Sequence, residues 1–178
     1  MKNISFLLAF LFVNLMSFSV WAQTDFVPVI QSYLTENSDE LGLVPSDFES
    51  LVVTDQSTSR SSAIQHIYVA QEINGILLKN GVANFALDAQ GNVVHSGIRL
   101  ISNLNKKIVE SSASISAIKA ISSAKTAIGM QGEAGAFLKE TEQGRLNFDR
   151  GTLAGEDIQV YKAYWALKNE ADEVRLVW

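Results

Sequence analysis

An α+β fold built from two small units, each a helix packed on an antiparallel β-sheet, is what this 178-residue sequence predicts. Three observations carry the expectation. Apolar residues recur at three- and four-residue spacing from Phe26 to Leu41, the period of a helix with one buried face. An Asn74-Gly75 pair stands between two runs of alternating apolar and polar residues, the pattern of a β-hairpin. The same order of helix and then strands returns after a polar stretch at 102–112. Cysteine is absent, so no disulfide framework stabilises the fold and the core must do so.

The chain opens with Lys2 followed by an apolar stretch, Phe6 to Val13, and a looser continuation to Val20. That is the layout of a secretory signal peptide, 1–22, with Val20 and the small Ala22 at the positions that signal peptidase reads and cleavage between Ala22 and Gln23. Asn14, Ser17 and Ser19 interrupt the run, which therefore falls short of a membrane anchor, and no later stretch approaches membrane length. A secreted or extracellular product is expected, with the periplasm or the cell surface as variants of the same export.

The first unit, 23–101, starts with a helix from Asp25 to Leu41, its stripe formed by Phe26, Val29, Ile30, Tyr33, Leu34 and Leu41, with Pro28 in the first turn and Gly42 just past the end. Phe48 to Thr54 follows as a short strand and Asp55 to Ser62 as a Ser/Thr-rich loop. In Ala63 to Ile73, Ile67, Val69 and Ile73 share one strand face, while His66, Tyr68, Ala70 and Glu72 share the other. The return strand runs from Ile76 to Asp88, with Gly81 marking a bulge. A second turn, Asp88 to Asn92 with Gly91, leads into Val93 to Leu100 and completes a three-stranded meander.

The polar stretch 102–112 reads as a linker, and its Lys106-Lys107 pair as a solvated spot. The second unit, 113–178, opens with a helix capped by Ser114 or Ser116, striped by Ile115, Ile118, Ile121 and Ile128 and ended by Gly129. Three strands are expected beyond it: Ala136 to Thr141, Ile158 to Asn169, and Val174 to Trp178. The last two form a hairpin about the charged turn Asn169 to Glu173. Because the final strand stops at Trp178 with no polar tail, the unit reads as truncated at its C-terminal end.

No catalytic, cofactor-binding or metal-ligating residue is expected. The two histidines, His66 and His95, occupy strands, and no His-Glu-x-x-His helix places imidazoles one turn apart for zinc. Ser96-Gly97 lies in a strand, not at the strained elbow of a serine hydrolase. Glu170, Asp172 and Glu173 lack the alternate-position oxygens of a calcium loop. The Gly129 to Gly135 stretch follows a helix where a phosphate-binding loop would open one. The formal charge of −5, which becomes −6 when the single cation Lys2 leaves with the signal, disfavours nucleic acid as a partner.

The meander carries a family resemblance. Ile67 to Leu78, with Tyr68, Gln71 and the Asn74-Gly75 turn, then Asn84 to Leu87 and the turn Asp88 to Val93 with Gly91, resembles the fungalysin/thermolysin propeptide (FTP) motif. Leu77-Leu78 departs from it, since the family often has Pro or another small residue after Gly-Ile. The second unit, with Ala117, Ile118, Ala124 and the closing Arg175-Leu176-Val177-Trp178, is similar to the PepSY-like part of the same precursors. The resemblance implies cystatin/PepSY-like units in the N-terminal part of a fungalysin-type zinc metalloprotease zymogen. It further implies a propeptide that assists folding of a cognate catalytic domain, in cis or in trans, and inhibits it. Zinc would then belong to that catalytic domain, with no cofactor in this chain. A free-standing secreted module that inhibits proteases in trans is the alternative.

Overall fold

The computed structural model of the chain describes residues 25–110, 112–168 and 173–178. The expected signal peptide, its cleavage point at Ala22 and Gln23, and most of the Asn169 to Glu173 turn lie outside the described residues. The α+β class is as expected: helices lie against a seven-stranded, mostly antiparallel sheet and a separate three-stranded sheet.

Asp25 begins the first helical segment by accepting a hydrogen bond from the Val27 N–H (3.1 Å). The segment is two helices, α1 (Val27–Glu36) and α2 (Ser38–Leu41), and not the single helix expected. The break falls at Asn37, whose side-chain amide bonds back to the Tyr33 carbonyl (2.7 Å) and competes with the helical ladder there. Gly42 ends α2 in the left-handed conformation, as expected. Ile30 and Leu34 are fully buried and Phe26, Tyr33 and Leu41 pack around them, but Val29 points to solvent.

Strand β1 (Leu51–Thr58) is longer and later than expected, taking in residues assigned from sequence to a loop. Its polar half pairs with β2 (Gln65–Ile73) through Asp55↔Tyr68 to Thr58↔Gln65. Backbone pairing alone holds this exposed ribbon, so its composition carries no strand signal. The hairpin from β2 to β3 (Ile76–Leu87) turns at Asn74 (φ 50°) and Gly75 (φ 80°), the two positive φ values of a type I′ turn. β4 (Val93–Arg99) completes the meander on β3. Ile67, Val69, Ala83, Phe85 and Leu87 face α1 in one core, where Tyr33 meets Phe85 edge-on.

The bulge expected at Gly81 is large. Ala70 pairs with Val82 and Glu72 with Leu77, so Gln71 alone spans residues 78–81 of β3. A Cβ on Gly81 would lie 2.6 Å from Leu78 Cδ2 and overlap the Gln71 carboxamide, which is why glycine stands there.

Residues 102–112, expected to be a linker, carry helix α3 (Leu104–Lys107), which includes the Lys106-Lys107 pair, and strand β5 (Ile108–Glu110). Leu104 is buried in a second core with Ile73, Leu78, Tyr164, Val174 and Leu176. Helix α4 (Ala117–Ala127) starts after Ser116, whose side chain makes no capping bond, and ends at Gly129 in the left-handed conformation. Only Ala117 and Ile121 of its inner face are buried, while Ile115, Ile118 and Ile128 of the expected stripe stand in solvent.

Beyond α4 come β6 (Phe137–Glu140), β7 (Leu146–Phe148), β8 (Ile158–Val160), β9 (Ala163–Ala166) and β10 (Val174–Val177). β7 has no counterpart among the expected strands, and the strand expected from Ile158 to Asn169 divides at Tyr161-Lys162. Its first part, β8, joins the small sheet β6-β7-β8 and its second, β9, the large one, in the order β1-β2-β3-β9-β10-β5 with β4 on β3. β9 and β10 form the expected antiparallel hairpin. The two halves therefore share one sheet, joined where Leu78 pairs with Tyr164 and where the Asn80 carboxamide acts as a strand edge for Ala166. A third core, Ala117, Ile121 and Phe148, lies between α4 and the small sheet.

Candidate binding surface

The residues singled out from sequence do not converge on one site. Asn74 and Gly75 form the turn at one end of the meander, while Asp88 and Gly91 form the turn at the other. Asp88 organises its turn by accepting hydrogen bonds from the N–H groups of Gln90 (2.9 Å) and Asn92 (2.8 Å) and from the Asn92 side-chain amide (3.0 Å). The Asn92 side-chain amide, then the Asn92 N–H, hold its carboxyl below the ordinary value of 3.8; desolvation opposes this, and the Gln90 and Gly91 N–H groups add to it.

Gln71 is buried, at 1 % exposure. Its Nε2 donates to the carbonyls of Asp47 (2.7 Å) and Ile101 (2.9 Å), and its Oε1 accepts from the Ile101 N–H (2.8 Å). Asp47, equally enclosed, accepts from the N–H groups of Val44 (3.0 Å), Asn103 (2.9 Å) and Leu104 (2.9 Å). The pair forms a polar latch that closes the start of α3 onto the meander, so neither group is available to a ligand. Besides the exposed turn residues Asn74 and Gly75, Tyr68 is the exposed member of the set, on the sheet face turned away from α1, in register with Asn84 and, through it, Gly97. His66 and His95 share this face, in register across Ala86. Among the described residues no three His, Cys, Asp or Glu side chains come close enough to hold a metal ion. No described helix is long and apolar enough to cross a membrane.

The surface with binding geometry lies in the second half, where the chain leaves one sheet for the other. A groove of about 510 Å³ opens between α4 and the β8–β9 step, lined by Ala124, Ile128, Met130, Val160, Trp165 and Val177 among others. Ile128 is 69 % exposed and Trp165 47 %, so apolar side chains are presented to solvent and not to a core. Trp178 closes one end, its indole N–H donating to the Ile115 carbonyl (2.7 Å). Tyr161, at the step, carries two cations on its ring, Lys79 Nζ at 4.9 Å and the Arg145 guanidinium at 5.3 Å, and Lys162 Nζ lies 5.1 Å from the Trp178 ring.

Sequence reasoning missed this surface because it depends on the strand division at Tyr161-Lys162. The isoleucine stripe of α4 was the one available signal, and it reads equally as core. The chain matches no protein-family model and no curated protein.

Proposed function

We propose that this chain is the pro-segment of a secreted fungalysin/thermolysin-type zinc metalloprotease, which chaperones the folding of its catalytic domain and holds it inactive. The observation that carries the reading is the apolar groove between α4 and the β8–β9 step, left open in the half that resembles the PepSY-like part of such precursors. Exposed aromatic and aliphatic side chains framed by a folded scaffold suit a partner surface better than a small polar substrate. The meander supports the reading from the other half: the Tyr68–Gln71–Asn74-Gly75 hairpin and the Asp88–Gly91 turn, which carry the resemblance to the propeptide motif, are the residues that fix its shape.

On this reading export follows from the Met1–Ala22 segment, and the zinc belongs to the catalytic domain, whose metal ligands this chain does not supply. Refolding tests the chaperone half of the proposal. A fungalysin-type catalytic domain unfolded in urea and diluted with the chain should regain markedly more activity, measured after the chain has been digested away, than when diluted with an equal mass of albumin. Equal recovery in the two would overturn it.

A further inference from the structure

The charge around the groove is opposite to that of the chain. Three cavities meet at Lys79: the apolar groove, which Lys125 also lines; a second of about 530 Å³ that Arg99, Lys107 and Lys168 line; and a third of about 350 Å³ that Arg145 and Lys162 line. These seven cations are half of the fourteen in the sequence, and Lys125 among them is paired with Glu133, whereas among the described carboxylates only Glu140 lines any of the three. A solvated surface of an acidic protein would be expected to mix the signs. Lys79, Arg145 and Lys162 rest on the faces of Tyr161 and Trp178, with no carboxylate bound to them among the described residues.

The groove also exposes a strand edge. β8 pairs with β7 alone, and no backbone hydrogen bond from Ile158, Gln159 or Val160 reaches any other segment among the described residues. All three residues line the groove. Consecutive strand residues point to opposite faces, so a cavity that touches three in a row faces the edge of the strand. Tyr161 and its cations follow directly.

We infer that this surface docks an extended, apolar polypeptide segment ending in carboxylates, which adds as a fourth strand to the free edge of β8 and sets its acidic end on Lys79, Arg145 and Lys162. Backbone hydrogen bonds supply affinity along β8, the groove takes apolar side chains from one face of the added strand, and the cations fix register and direction. The inference rests on the pro-segment reading only for the identity of the partner, which would present such a segment on its own surface.

The test uses the whole chain and a short fluorescein-labelled peptide of alternating Thr and Val ending in Glu-Glu, with a counterpart ending in Lys-Lys. By fluorescence anisotropy the Glu-ended peptide should bind saturably and the Lys-ended one should not, and raising salt from about 0.05 M to about 0.5 M should weaken binding several-fold. Amide hydrogen exchange at Ile158–Val160 should slow on binding. Lys79→Gln with Arg145→Gln should weaken binding about tenfold, and Ala124→Glu, which puts a carboxylate in the groove, should abolish it. These positions are exposed, so the melting temperature should stay that of the parent chain.

Equal binding of the two peptides, unchanged exchange at β8, preference for laurate over peptide, or a dimer of the chain that protects the same residues would each overturn the inference. Peptide binding without inhibition of any fungalysin-type protease would leave the docking surface standing and remove the pro-segment reading.

Discussion

Gln71→Leu separates burial from hydrogen bonding at the latch between the meander and α3. Leucine is close to glutamine in volume, so packing against Leu78 and Gly81 is largely kept, while all three hydrogen bonds of the carboxamide are lost. Each is worth about 1 kcal/mol net, and a buried group left without a partner costs about 1–3 kcal/mol. The Asp47 carbonyl loses its partner in an enclosed site, whereas the half-buried Ile101 backbone can turn to water, which puts the total at about 2–4 kcal/mol. For a chain of this size that lowers the melting temperature by about 5–15 °C.

Urea unfolding followed by tryptophan fluorescence and far-UV circular dichroism gives the stability change. It should appear as a lower midpoint at unchanged slope. Amide exchange should quicken first at Asn103 and Leu104, whose N–H groups bond to Asp47 beside the lost carboxamide. Gln71→Glu should cost more than leucine, because it retains the acceptor for Ile101 but turns a charge toward two carbonyls. A loss below about 0.5 kcal/mol for Gln71→Leu, the size of an ordinary surface substitution, would refute the latch.

Replacing Asn74-Gly75 by Val-Val should destabilise the chain by about 2–3 kcal/mol, since β-branched residues hold positive φ only under strain; an unchanged melting temperature would contradict the turn assignment. Asn80→Ala removes both bonds to Ala166 (2.7 and 2.8 Å) and should cost about 1–3 kcal/mol. The accelerated exchange should be confined to β9 and β10, and a change spread evenly over the meander would count against Asn80 as the joint. The lowered pKa of Asp88 means that its contribution is fully present above the unfolded-state value near 3.8 and is lost as pH falls through the lower folded-state value. Asp88→Asn should therefore flatten the acid limb of the stability curve, and parallel acid limbs for parent and variant would refute this.

Local signals carried the first half of the fold. The buried positions Ile30 and Leu34 of α1, the left-handed glycines after α2 and α4 and the two hairpin turns are decided by residues a few positions apart, and they stand where sequence placed them. Departures arise where distant contacts decide. Val29, Ile118 and Ile128 have helical spacing but no partner surface over them. Ile108–Glu110 is too short a run to stand out from the polar stretch before it, which Asn103 and Asn105 break, yet it pairs in parallel with β10, which no local pattern announces. Tyr161-Lys162 ends one strand and begins another because the two flanking segments find different sheets, and alternation continues straight through the step.

The candidate surface was the least legible part for the same reason. Its groove needs α4 and the strand division together, and its cations are gathered on Tyr161 and Trp178 from positions as separate as Lys79, Arg145 and Lys162. The residues that did stand out in sequence, Gln71, Asn74, Gly75, Asp88 and Gly91, build the scaffold. Tyr68 remains as the member of the set exposed on a strand face, away from the turns.

A titration of a fungalysin-type catalytic domain with the chain, read by hydrolysis of a fluorogenic peptide, tests the inhibitory role most directly. Loss of activity should saturate at one chain per enzyme, with inhibition weakened by Ala124→Glu and by the Lys79→Gln, Arg145→Gln pair. Full activity at a large excess of folded chain, or inhibition indifferent to both variants, would contradict it.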